Sequence, residues 1–222
     1  MTENKREIVL PSQLLGEVGE FKAGRGTFIE NGKIYSEKLG ILSKRSNYVD
    51  VIPLKGRYDA VEGDFVIGIV EEPLSSSWLV DINAPYPALL HVNEVQWDVD
   101  FGETEKYLNQ GDAIMAKVLE VNIEKKLQIT LKDRNLYKIR QGYLTYIEPS
   151  KVPRLIGKKG SMIALLKKYS NCRIFIGKNG RIWIDGKQDN ISKVIKAINI
   201  IENESLSFGL TNKIEELLKK KS

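Results

Sequence analysis

The apolar positions of the last third of the chain change period in a readable order. Gly142-Tyr-Leu-Thr-Tyr-Ile147 reads as a strand, Pro149 to Ile156 and Ser161 to Tyr169 as helices, and Cys172-Arg-Ile-Phe-Ile176 and Arg181-Ile-Trp-Ile184 as strands again. Lys187–Glu202 then places Ile191, Val194, Ile195, Ile198 and Ile201 on one helical face. The predicted order is β-α-α-β-β-α, with Pro149 near the start of its helix. A last helix is predicted over 203–222, ending in the Lys219-Lys-Lys221 tail.

Residues 59–138 carry short alternating runs instead. Glu62-Gly-Asp-Phe-Val-Ile-Gly-Ile-Val70 is echoed by Gln110-Gly-Asp-Ala-Ile-Met-Ala-Lys-Val118, each a Gly-Asp turn opening a strand. Ser77-Trp-Leu-Val-Asp-Ile82 and Ala88-Leu-Leu-His-Val92 lie between them, and Leu127-Gln-Ile-Thr-Leu-Lys132 follows a Glu-Lys-Lys turn. Five short strands without a long helix predict a small barrel, for which the OB-fold is the commonest topology. Residues 1–58 are broken by glycines. Ile8-Val-Leu10 stops at Pro11, Asn31-Gly32 marks a hairpin between Gly26–Glu30 and Lys33–Ser36, and Tyr48–Ile52 stops before Pro53. This unit has little room for a core and is expected to pack on its neighbour or on another chain.

Charge separates the same three segments. Residues 1–58 hold 10 basic and 7 acidic side chains, 59–138 hold 7 and 15, and 139–222 hold 17 and 7. The basic last third points to a polyanion partner. Cys172 and His91 are the only cysteine and histidine, which excludes an intrachain disulfide, Cys/His metal clusters and most catalytic constellations; no cofactor or metal is expected. Glu71-Glu72 is a carboxylate pair, but it precedes Pro73 in an expected loop. No apolar run reaches membrane-spanning length and the first residues lack a signal-peptide core, so a cytoplasmic protein with no membrane partner is expected.

The candidate chemistry lies in Pro153-Arg-Leu-Ile-Gly-Lys-Lys-Gly-Ser161. A Gly-x-x-Gly turn between two helices has the form of a KH clamp for single-stranded nucleic acid. Gly157 and Gly160 let a sugar-phosphate chain approach the backbone, and Lys158 and Lys159 supply charge there. Ser161 is expected to cap the following helix, and Arg154, Lys167 and Lys168 are flanking phosphate candidates. Contact with four or five phosphates predicts a salt slope of about −3. Gly177-Lys-Asn-Gly180 has the same spelling but joins two strands, so it is read as a hairpin turn. Gly157-Lys-Lys-Gly-Ser lacks the spacing of a P-loop.

The middle segment resembles the ribosomal S1-type OB domain, through Gly63-Asp…Val70, Trp78…Asp81, Leu89-Leu-His-Val-Asn-Glu94, Gly111-Asp…Val118 and Leu127…Leu131. That resemblance implies that Trp78 and His91 face RNA. It departs at the usual Phe-Gly pair, replaced by Ser75-Ser-Ser77 and Trp78, and at Pro85-Tyr-Pro87. A small N-terminal β domain, an S1-type five-stranded barrel and an α+β type I KH domain, in this order, are together similar to the cap subunit of the archaeal RNA exosome, the ribosomal RNA-processing protein 4 family. The resemblance implies a non-catalytic chain that forms a trimeric cap with copies of itself. Its implied partners are single-stranded RNA and a hexameric ring of RNase PH-like subunits. Its N-terminal domain would dock on the ring, and its barrels would surround the entry pore; an acidic barrel there would guide RNA through local basic spots, for which Lys132 and Arg134 are the candidates. The alternatives are a stand-alone single-stranded RNA-binding protein of translation or ribosome assembly, and an enzyme. The polynucleotide phosphorylase family carries both modules, but in the reverse order and behind catalytic domains that have no counterpart here.

Overall fold

The chain divides into two compact units, Met1–Gly56 and Arg57–Ser222. The computed structural model describes residues 7–122, 126–204 and 209–219. The first unit holds β1 (Ile8–Val9), β2 (Leu14–Glu17), β3 (Lys22–Ala23), β4 (Thr27–Glu30), β5 (Lys33–Ser36), β6 (Gly40–Arg45) and β7 (Tyr48–Pro53). They form two sheets, ordered β1-β6-β7-β3 and β2-β5-β4. Asn31 and Gly32 take φ of 49° and 75°, the pair of positive angles that a two-residue hairpin favours. The core is small: Val9, Leu15, Val49 and Val51, with Phe21 and Leu42 against them. Sequence pattern does not reveal β2, β3 and β6, because two are very short or glycine-interrupted and the third alternates poorly.

The second unit opens with the barrel: β8 (Phe65–Pro73), β9 (Ser77–Asp81), β10 (Ala88–His91), β11 (Ala113–Val121) and β12 (Leu127–Thr130). Strand order β12-β10-β9-β8-β11 closes through a β11–β12 pairing, and β10–β12 is the parallel pair. The five expected strands are all present. Glu71 and Glu72 are not in a loop; they lie within β8, at a bulge between Val70 and Glu72.

The internal echo has a structural cause. β8 and β11 are antiparallel neighbours, and each Gly-Asp turn closes on the far end of the other strand. Gly63 N–H donates to Val118 O at 2.9 Å, and Val118 N–H to Asp64 O at 2.8 Å. Gly111 N–H donates to Val70 O and Val70 N–H to Asp112 O, both at 2.9 Å. Both glycines sit at positive φ, 84° and 87°, where a side chain would be strained. Tyr58 seals this end by donating to Asp64 Oδ2 at 2.9 Å; burial, then the Asp64 charge, push its phenol well above the ordinary range.

A short β13 (Lys138–Ile139) pairs with β11 and leads into β14 (Tyr143–Tyr146), α1 (Val152–Ile156), α2 (Ser161–Ser170), β15 (Arg173–Ile176), β16 (Arg181–Asp185), α3 (Gln188–Asn203) and α4 (Leu210–Lys219). This is the expected β-α-α-β-β-α order with one further helix. Pro149–Lys151 is a 3-10 turn in front of α1 rather than its first turn. The antiparallel sheet β14-β16-β15 buries Ile174, Ile182 and Ile184 under the helices with Leu155, Leu166, Val194, Ile198 and Ile201. Ile214 and Leu218 bring α4 onto the same core. Lys220 and Lys221 of the basic tail lie outside the described residues, as do Glu124 and Lys125 of the turn before β12.

Alternation along β16 joins the two parts of this unit. Ile182 and Ile184 face the helices, whereas Trp183 belongs to the barrel's apolar cluster, with Phe175 packed beside it. One strand thus serves two cores. Among the described residues no helix is long and apolar enough to cross a membrane.

Candidate nucleic-acid interface

The Gly157–Gly160 segment is a tight, left-handed junction. Gly157 ends α1 at φ 76°, Lys159 has φ 53° and Gly160 has φ 78°. A Cβ on Gly157 would stand 2.7 Å from the Met162 nitrogen, so glycine is required sterically as well as torsionally. At Gly160 the nearest atom to such a Cβ is 3.9 Å away, so only its torsion asks for glycine. Lys158 and Lys159 are exposed at this junction. Ser161 does not cap α2: Gly160 holds the cap position and no side chain bonds the first turn. The Ser161 N–H bonds back to Lys158 O, and the positive end of the α2 dipole adds to the charge of the two lysines.

The flanking candidates spread out from this point. Arg154 is half-buried on α1, in the turn before the loop. Lys167 and Lys168 are exposed in the last turn of α2, about 9 Å of helix rise away from Ser161. Lys168 lies over the Tyr169 ring at 5.3 Å. The loop and the two distal lysines are therefore separate positions along one helix, not one cluster.

The second Gly-x-x-Gly is a hairpin turn, as expected, but it is buried against the barrel. Asn179 is fully buried; its amide donates to Ile67 O at 2.8 Å and Ile82 O at 2.9 Å, and its Oδ1 accepts from Ile67 N–H at 3.3 Å. Asn83 donates to Asn179 O at 2.7 Å, and Lys178 N–H to Phe65 O at 2.8 Å. Arg181 donates to Ile67 O at 3.2 Å and Asp81 O at 2.5 Å and pairs with the Asp81 carboxylate. A Cβ on Gly180 would meet Ile147 O at 2.2 Å. These bonds satisfy strand-edge groups of β8 and β9 that burial would otherwise strand at about 1–3 kcal/mol each.

Trp78 is not an RNA platform. It is fully buried in the barrel and donates its indole N–H to Leu108 O at 3.1 Å, so no base can reach its face. His91 is half-exposed at the end of β10, where its Nδ1 accepts from Asn93 N–H at 3.1 Å and caps a short 3-10 turn. Lys132 and Arg134 are exposed just past β12. Asp133 stands between them. The hydrogen bond from Lys117 at 2.9 Å, then the Arg134 N–H, hold its carboxyl below the ordinary carboxylate range. Its charge offsets part of the local positive field.

Comparison with known proteins agrees with this architecture. Residues 6–55 match the family described as Exosome RNA binding protein RRP4 N-terminal domain, and residues 142–190 match the KH domain family. The exosome complex component Rrp4 of Methanosarcina mazei is 45% identical over 96% of this chain and 82% of its own length. The Rrp4 of Picrophilus torridus is 42% identical over 97% and 93%. The chain belongs to the archaeal Rrp4 family. A crystal structure provisionally assigned as an exosome complex RNA-binding protein superposes with a TM-score of 0.67 at 34% identity, covering 73% of this chain and 95% of the other.

In this Rrp4-family chain, sequence pattern locates the exposed loop and misses the latch, the set of bonds by which Asn179 ties the KH hairpin to the barrel. Asn179 is legible as a turn residue. Its bonds to Ile67 and Ile82 cross separations of about a hundred residues that no local spacing encodes.

Proposed function

We propose that this chain is a non-catalytic, RNA-binding cap subunit of an archaeal exosome that recruits single-stranded RNA and guides it into a phosphorolytic 3′–5′ exoribonuclease ring. The observation that carries the RNA contact is the exposed Lys158-Lys159 pair, held in a left-handed junction at an uncapped helix start. Two cations on a glycine turn that opens a helix suit a sugar-phosphate chain. The latch makes the barrel and the KH domain one rigid bearing for that loop.

The first unit suits a docking role. Ile8, Leu10, Val18 and Ile29 are each more than half exposed on a domain with a very small core, an apolar surface that favours a protein partner. The partner proposed is the hexameric ring of RNase PH-like subunits, with three copies of this chain forming the cap. The chain carries no catalytic role in this reading and acts in the cytoplasm.

The test is the native mass of the tagged chain purified from its own cells. A large assembly holding several copies of this chain, with phosphate-dependent RNase activity, supports the cap reading. A free chain of about its own 25.2 kDa that binds single-stranded RNA overturns it in favour of a stand-alone binder.

A further inference from the structure

We infer that the junction of the barrel and the KH domain holds a second binding groove for single-stranded RNA, apart from the Gly157–Gly160 loop; the inference rests on the RNA-binding reading above. The junction encloses a groove of about 610 Å³. Four aromatic side chains line it: Trp97, Tyr107, Tyr137 and Trp183. Four cations line it too, Lys106, Lys138, Arg140 and Arg173, and among the described residues no carboxylate does. Aromatic faces interleaved with cations are the components of a sequence-tolerant single-strand site.

The parts are prearranged. Trp97 and Tyr107 are stacked, with centroids 5.9 Å apart and 13° between planes, and Tyr107 is anchored by its hydroxyl on Asp98 O at 2.7 Å. The Trp97 indole N–H has no acceptor among the described residues, so hydrogen bonding does not account for its position. Tyr137 is 41% exposed, an uncovered ring beside them. The Arg173 guanidinium lies 5.5 Å from the Trp183 ring centroid, and Trp183 is held by its N–H on Gln141 O at 2.7 Å.

Charge supports a polyanion over a peptide. Glu103, Asp112 and Asp185 pair with Lys106, Lys138 and Arg173 from outside the lining, and these pairs are partly or largely exposed. No carboxylate pairs with Arg140 among the described residues, which leaves it as the groove's uncompensated charge. The groove also continues toward the KH helices. An adjoining recess of about 310 Å³ shares Tyr137, Arg173 and Trp183 and adds Lys167. Lys167 ends the same helix that starts at the Lys158-Lys159 loop, so α2 links the two sites.

The test uses the full chain, a labelled oligouridylate of about twelve nucleotides, and fluorescence anisotropy. Tyr137→Ala with Arg140→Glu is expected to weaken binding roughly tenfold with an unchanged melting temperature, and Tyr137→Phe to retain binding. Photo-crosslinking with 4-thiouridine is expected to label Trp97, Tyr107 or Tyr137. A folded double variant with wild-type affinity, while Lys158→Asp with Lys159→Asp loses binding, overturns the groove and spares the loop. No binding by the unmodified chain overturns both. A double variant that binds oligouridylate normally but no longer co-purifies with other proteins overturns the nucleic-acid assignment in favour of a peptide occupant.

Discussion

Two segments about twenty residues apart, Gly157-Lys-Lys-Gly160 and Gly177-Lys-Asn-Gly180, share a spelling and a tight turn and differ in what they join and what they touch. The first joins two helices, exposes both lysines and makes no hydrogen bond to the barrel among the described residues. The second joins two strands, exposes Lys178 and buries Asn179 completely between β8 and β9. The difference teaches that a Gly-x-x-Gly pattern specifies a tight turn and nothing more. What the turn does depends on whether its middle residues meet water or another sheet edge.

The comparison breaks most sharply at Asn179. Asn179→Ala leaves the Ile67 N–H and the Ile82 carbonyl buried without partners, while Ile67 O keeps Arg181, and is expected to cost about 3 kcal/mol in urea denaturation, with RNA affinity falling only as the fold is lost. An unchanged midpoint would show that the hairpin is not a latch. Lys158→Asp with Lys159→Asp should do the opposite, lowering RNA affinity about a hundredfold while leaving the melting temperature in place. Before mutation, the salt dependence of binding should have a slope of about −3; a flat response would remove the electrostatic basis of the loop.

Smaller effects sharpen the contrast. Lys178→Asp reverses charge at the lysine matching Lys158 and is expected to change RNA affinity less than about twofold, because the backbone around it is committed to the barrel. Lys132→Glu with Arg134→Glu should reduce RNA delivery to the proposed ring by only a few fold, since Asp133 already offsets these cations. Asp133→Asn should be the mildest. The depressed carboxyl contributes stability above its unfolded pKa of about 3.9, and that contribution disappears as pH falls through the folded value. Variant and parent should therefore differ slightly in melting temperature at neutral pH and converge below about pH 4; a constant gap would point to lost packing instead.

Local periodicity was enough for the β-α-α-β-β-α order, the five barrel strands and the exposed Lys158-Lys159 loop, because strand alternation, helical spacing and glycine turns act over a few residues. The echo of the two Gly-Asp turns was visible as well, though its cause, the mutual closure of β8 and β11, was not. Trp78 shows the limit from the other side. An aromatic on a barrel strand has two faces to choose from, and the one-residue register that turns it inward is set by pairing with β8 and β10. Only the tertiary structure decided that Trp78 is core, that Asn179 is a latch and that Trp183 enters the barrel's cluster while its neighbours on β16 enter the KH core. The same is true of the aromatic groove, whose residues are scattered from Trp97 to Trp183. The physical reason is one throughout: turns and periods are written in neighbouring residues, whereas burial and partnership arise where distant strand edges meet.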